Sequence, residues 1–220
     1  MSTALFIHHS VGGQIIAQGG LRQKLSQAVP SLELWDHHYN DIGLCDGSGS
    51  SLGTSFPIPD DNTDPDGLLA ILEGIAAGEP WAGRARTCDV LILKSCFPNN
   101  AIRTDAAALS LQQTYQQMRE IALDLPQAVV LVSSPPLVFE ATATDQAARA
   151  TDMAVWLGAH WTGPRLGYVN IFDILTYHSG PARGTLRLGY RRMRPRDSHL
   201  SGAGAQAAAS AIVPAVRAVV

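Results

Sequence analysis

Ala4-Leu5-Phe6-Ile7-His8-His9-Ser10-Val11-Gly12-Gly13 is the stretch on which the fold turns. Its apolar run is too short for a helix and reads as a buried strand. The run gives way to a serine, two glycines follow closely, and a helix-like segment begins near Gln14. Ser10 therefore falls at the carboxyl end of a strand and the amino end of a helix. Ligands of open α/β sheets collect on that edge. Two roles compete for Ser10 on these residues alone. It caps the following helix, or it is a nucleophile whose partners come from elsewhere in the chain.

Working outward, apolar runs recur at Leu32 to Trp35, Val90 to Leu93, Val129 to Val132 and Tyr168 to Ile171. Helical patterns lie between and after them: Gln14 to Ala28, Leu68 to Ala77, Asp105 to Leu123, Asp145 to Leu157 and Ala203 to Val219. Thr104 is placed to cap the third. Strands alternating with helices predict a three-layer α/β/α architecture with a central parallel sheet of about five strands. No repeat or linker divides the chain, so residues 1–220 are expected to form one domain. Two segments break the alternation. Asn40 to Asp66 is a long Gly/Ser/Pro/Asp-rich stretch of the kind that is functional or mobile. Thr176 to Arg196 carries six arginines. It reads as a solvated loop or as a lip for an acidic or sugar-like substrate.

The totals narrow the function classes. A net charge of −3 provides no basic footprint for nucleic acid or an anionic membrane. No apolar run approaches the ~20 residues of a membrane span. The first residues lack a basic leader, and Cys45, Cys88 and Cys96 form neither a zinc pattern nor an even disulfide set. A cytoplasmic protein with free thiols is the expectation, unless a signal peptide once preceded Met1.

A serine hydroxyl needs a base within hydrogen-bond reach, and the base needs a group to orient it. The best base is His199, in the polar stretch Arg196-Asp197-Ser198-His199-Leu200-Ser201-Gly202 ahead of the last helix. Asp197 would hold its ring. The competing role for this stretch is to cap that helix. An acyl-transfer site also needs donors for a developing oxyanion. The backbone N–H of Ser10 or Val11, the bare backbone of Gly43 and the side chain of Asn99 offer them. Gly43 is otherwise an ordinary loop glycine, and Asn99 and Asn100 are otherwise turn formers.

The order of these residues resembles that of the SGNH hydrolases, the GDSL-type esterases and lipases, over nearly the whole chain. His8-His9-Ser10-Val11-Gly12 matches the first block, Gly43 the second, Asn99 the third, and Asp197 with His199 the last. The resemblance implies a flavodoxin-like sheet with Ser10 as nucleophile and His199 as base, partnered by Asp197. It also implies an oxyanion hole of Ser10 N–H, Gly43 N–H and the Asn99 amide. No cofactor is implied. The chain departs from the pattern in three places. His8-His9 replace Gly-Asp, Ser95 stands at the third-block glycine with Asn99 late, and only Ser198 separates Asp197 from His199. The last change leaves open whether Asp197 or a backbone carbonyl orients His199.

The remaining candidates are weaker. His8 and His9 diverge on a strand, so one is expected to pack and the other, His9, to line the site with Asn100 as a substrate contact. His37-His38 follow the second strand, but adjacent residues diverge there too, so no metal is expected. Asn62 to Glu73 approximates a calcium-loop spacing, but prolines surround it, and a helix-capping turn is preferred. Cys96 is expected to be buried and Lys94 to snorkel to the surface. Gly12-Gly13 lack the context of a nucleotide loop. The expectation is a serine hydrolase acting on a small-molecule ester through an acyl-enzyme, with an ester of a carbohydrate or small alcohol preferred. The alternative is a non-catalytic domain that binds a carbohydrate or partner in the same cleft.

Overall fold

The computed structural model describes residues 2–38, 42–56 and 64–220. Six strands form one sheet: β1 (Ser2–His8), β2 (Leu32–His38), β3 (Gly43–Cys45), β4 (Val90–Lys94), β5 (Ala128–Val132) and β6 (Leu166–Val169). Their order is β3-β2-β1-β4-β5-β6, parallel throughout except for β3, which adds antiparallel to the edge of β2. The helices are α1 (Ser10–Ala17), α2 (Leu21–Ala28), α3 (Pro65–Ala77), α4 (Gly83–Thr87), α5 (Asp105–Asp124), α6 (Thr144–His160), α7 (Ile171–Leu175) and α8 (Gly202–Val219).

Strand alternation makes the three layers. Leu5, Ile7, Leu91, Leu93, Val129 and Leu131 point to one face and pack with α3, α5 and α6. Ala4, Phe6, Val90, Ile92, Val130 and Val132 point to the other, against α1, α2 and α8. Both faces of the central strands are buried, which is why those strands read as unbroken apolar runs. At roughly 25 cal/mol per Å² of apolar surface, burying one such Leu or Ile is worth about 2 kcal/mol.

Three expected elements change. The helix expected over Gln14 to Ala28 begins earlier, at Ser10, and is two helices, broken after Ala17. A Cβ at Gly19 would lie 2.4 Å from the Ile15 carbonyl oxygen and 2.5 Å from that of Ala205, and Gly20 has a φ of 67° that favours glycine. The sheet has a sixth strand, β3, three residues long within the glycine-rich stretch. Ile171, expected to end a strand, opens α7, where Asn170 accepts a capping bond from Asp173 N–H at 3.0 Å. Thr104 caps α5 as expected, accepting from Ala107 N–H. Asp64 caps α3 through Gly67 N–H, ahead of Pro65 at the first helical position. Asn62 and Thr63, the start of the calcium-like spacing, lie outside the described residues.

The topology decides where a site can form. β1 and β4 are neighbours, but the chain leaves β1 toward β2 and leaves β4 toward β5. A crevice opens at the carboxyl ends of two strands whose connections part in this way. Ser10 follows β1 there, and Ser95 and Cys96 follow β4. Among the described residues no helix is long and apolar enough to cross a membrane.

Candidate active site

Ser10 is the first residue of α1, and the cap position falls on His9. The serine hydroxyl is therefore not spent on the helix. It lies 3.0 Å from Nε2 of His199, across 189 residues of sequence. Nδ1 of His199 lies 2.6 Å from Oδ1 of Asp197, and the same oxygen accepts the His199 backbone N–H at 2.9 Å. Asp197 is thus the group that orients the ring despite its short spacing. The chain turns just before it through Arg196, whose φ of 56° is left-handed and uncommon outside glycine. Burial pushes the Asp197 carboxyl up, but the two hydrogen bonds from His199 outweigh it and hold the group below the usual carboxylate range. An ionised carboxylate only accepts, so Nδ1 carries the proton and Nε2 presents its lone pair to Ser10.

Two residues that sequence reasoning missed hold this loop in place. Gln14 is buried on α1, with Nε2 donating to the Leu200 carbonyl and Oε1 accepting the Leu200 N–H, both at 3.1 Å. The helix that starts at Ser10 is thereby bolted to the loop that carries His199. The signal was a glutamine on the apolar stripe of Val11 and Ile15. Ser198, between Asp197 and His199, is also buried and accepts the Val138 N–H at 3.1 Å. The arginine-rich segment backs the same loop: Arg192 N–H donates to the His199 carbonyl, and Arg191 pairs with Glu140 at 2.6 Å. Phe97 sets its ring edge-on to His199, centroids 5.2 Å apart.

The other candidates fall around this centre. His9 Nδ1 lies 3.3 Å from Ser10 Oγ and 3.6 Å from Cys96 Sγ, and its ring stacks on His38. Gly43 lies opposite His38 in the β2–β3 register with a φ of 67°, and a Cβ there would meet the Thr54 carbonyl oxygen at 2.4 Å. Asn99 sits in a 3-10 turn over Phe97–Asn100, its Nδ2 donating to the Cys96 carbonyl at 3.3 Å. Asn100 is buried, and its Nδ2 donates to the carbonyls of Ser134 and Pro135, fastening the loop after β4 to the loop after β5.

Beneath the serine lies a second polar network, built on fully buried His8 and nearly buried Asp36. His8 reaches the His9 carbonyl through Nδ1 and Asp36 Oδ2 through Nε2, each at 2.9 Å. Arg22 pairs with the other oxygen of Asp36 and also donates to the Leu34 carbonyl. Gly12 is required above this histidine, since a Cβ there would fall 2.2 Å from His8 Cβ. His37 accepts the Phe56 N–H at 3.0 Å, and burial followed by the neighbouring His8 lowers its pKa to about 4. Lys94 does not snorkel. It is fully buried with Nζ on the Ser95 carbonyl at 2.9 Å, and burial lowers its pKa to about 8. Cys96 is buried as expected. Among the described residues, no group of three acidic, histidine or cysteine side chains could hold a metal ion.

Comparison with solved structures agrees with this architecture. The chain superposes on TesA with a TM-score of 0.61 at 13% identity, covering all of both chains. It matches a protein described as an acylhydrolase from Bacteroides fragilis with a TM-score of 0.61 at 12% identity, over 99% of this chain and 87% of the other. A GDSL-like lipase from Bacteroides thetaiotaomicron gives 0.58 at 11% identity, over 100% and 89%. No family model matches the sequence, and no curated protein matches it. The fold is that of the SGNH/GDSL hydrolases.

Proposed function

We propose that this chain is a serine ester hydrolase that works through an acyl-enzyme. The observation that carries the reading is the alignment of Asp197 Oδ1, His199 and Ser10 Oγ at 2.6 and 3.0 Å on the carboxyl edge of the sheet. Solved structures that share this fold include an acylhydrolase and a GDSL-like lipase, which supports it.

The chemistry follows from the protonation pattern. Ser10 Oγ attacks the ester carbonyl as its proton passes to His199 Nε2, and the carbonyl π pair moves onto oxygen. His199 then protonates the departing alcohol, leaving Ser10 acylated. Water repeats the attack with His199 again taking the proton, and the acid leaves as Ser10 recovers its own. Asp197 holds the imidazole and stabilises the imidazolium in both halves. The oxyanion would be met by Ser10 N–H at the start of α1, where the helix dipole favours negative charge. Gly43 N–H and the second N–H of the Asn99 amide complete the set. Asn100 acts from below, holding the Asn99 turn through its two carbonyl bonds. The favoured substrate is an ester of a small alcohol or carbohydrate, on the polar character of the surrounding loops and an aromatic content of only 6%.

Fluorophosphonate labelling tests the reading. Stoichiometric modification mapped to Ser10 and lost in Ser10→Ala, with turnover of short-chain p-nitrophenyl esters, is the expected result. A folded protein that neither labels nor hydrolyses a broad ester panel would return the cleft to the non-catalytic binding role.

A further inference from the structure

The serine oxygen has two histidine neighbours. One is His199 at 3.0 Å. The other is His9 Nδ1 at 3.3 Å, from the residue immediately before the nucleophile. We propose that His9 is a second catalytic histidine, which donates its Nδ1–H to Ser10 Oγ and stabilises the negative charge that oxygen carries as it attacks and as it leaves. The inference rests on the reading of Ser10 as the nucleophile.

The direction of the bond follows by elimination. Asp197 fixes the proton of His199 on Nδ1, so Nε2 accepts and the Ser10 hydroxyl donates to it. The serine has one proton and has used it. What it offers His9 is a lone pair, so a hydrogen bond between them requires Nδ1 of His9 to be the donor. Cys96 Sγ, 3.6 Å from the same nitrogen, is a weaker acceptor for that N–H. The ring is held for the task. His9 occupies the cap position of α1, stacks on His38 from β2 and has Cys96 from the end of β4 against it. The His8 contact to the His9 carbonyl fixes the backbone from which the ring projects.

In this arrangement His9 never gives up its proton. During acylation the new bond forms between Ser10 Oγ and the acyl carbon while His199 takes the hydroxyl proton. During deacylation that bond breaks, the electron pair returns to Oγ, and His199 returns the proton. His9 donates a hydrogen bond to Oγ through both events, shifting electron density off the oxygen when it is most anionic. A hydrogen bond to a charged atom is of a size to accelerate the reaction by about ten- to a hundredfold.

The test uses the geometry of isosteres. Nδ2 of an asparagine lies where Nδ1 of His9 lies, while Nε2 of a glutamine lies where the far nitrogen lies. Second-order rates of fluorophosphonate labelling and kcat/KM for a p-nitrophenyl ester are measured in wild type, His9→Asn, His9→Gln and His9→Ala, with circular dichroism confirming the fold. The expected result is a ten- to hundredfold loss in His9→Ala and His9→Gln, carried in kcat, and recovery to within a few-fold in His9→Asn. Cys96→Ala, which removes the competing acceptor, is expected to label at least as fast as wild type. Equal rates in all three His9 variants, whether wild-type or impaired, would overturn the proposal while leaving Ser10 in its role. Absence of labelling in the wild type, or labelling that survives Ser10→Ala, would remove the nucleophile reading itself and this inference with it.

Discussion

Two histidine–aspartate pairs lie on either side of Ser10. His199 and Asp197 meet at 2.6 Å in a partly exposed loop, and the far nitrogen of the ring faces a hydroxyl. His8 and Asp36 meet at 2.9 Å with the histidine fully buried and the aspartate nearly so, and the other nitrogen of that ring is held by a backbone carbonyl. Asp36 is further engaged by Arg22, whereas the hydrogen bonds to the Asp197 carboxylate among the described residues come from His199. The same two side chains thus do different work. A pair can move a proton when the far side of its imidazole meets a group that can exchange one. When every polar atom is already matched within the fold, the pair becomes a fastening, and removing half of it is costly.

Breaking each pair separates the two roles. Asp197→Asn is expected to lower kcat/KM for ester hydrolysis by about 10³- to 10⁴-fold, because the wrong tautomer is then favoured, with little change in melting temperature. Kinetics beside a thermal melt check both halves. Asp36→Asn reverses the pattern and is expected to cost about 1–3 kcal/mol in urea unfolding, by removing the carboxylate that Arg22 pairs with and that meets the buried His8 ring. Any loss of activity there should track the folded fraction.

A titration sharpens the comparison without removing a partner. His37, next to Asp36, is buried with a pKa of about 4 against the ordinary 6.5. Between those values the unfolded chain binds the proton more tightly than the folded one, so stability is full above pH 6.5 and is lost as pH falls toward 4. That amounts to about 2 kcal/mol between pH 7 and pH 5. Urea unfolding of wild type and His37→Gln at both pH values should show this part of the slope disappear in the variant. The smallest effect concerns the loop of the exposed pair. Arg196→Gly relieves a left-handed backbone and is expected to raise stability by about 0.5–1 kcal/mol, while leaving labelling at Ser10 within twofold. Calorimetry and labelling rates read the two quantities.

Much of this was legible in the sequence, for identifiable reasons. Val90 to Leu93 and Val129 to Val132 are buried on both sides, so an unbroken apolar run announced each strand. Ser10 and the Asp197/His199 stretch were legible because they punctuate such elements at chain positions that a parallel sheet brings to one edge. The short strand β3 was not, since three residues supported by an existing edge need no pattern of their own. The break after Ala17 carried a signal in Gly19-Gly20 that the surrounding helical pattern outweighed. The orientation of Asp197 could not be read from spacing, because one left-handed residue, Arg196, redirects its side chain. The Gln14 clamp was hidden for a different reason. A glutamine on an apolar stripe declares a buried partner but not which one, and Leu200 lies 186 residues away.

That clamp has a consequence for when the site comes into being. Its two bonds join the first helix of the chain to the segment before the last, and Ser10 meets His199 across almost the same span. Contacts of such separation carry a closure cost that intervening structure must first offset, so they belong to the late stages of folding. If Ser10 is the nucleophile proposed above, it is made before its base and remains an ordinary alcohol until residue 200 has been synthesised and docked. On the proposed reading, reactivity at the serine is acquired only once segments 186 residues apart have found each other.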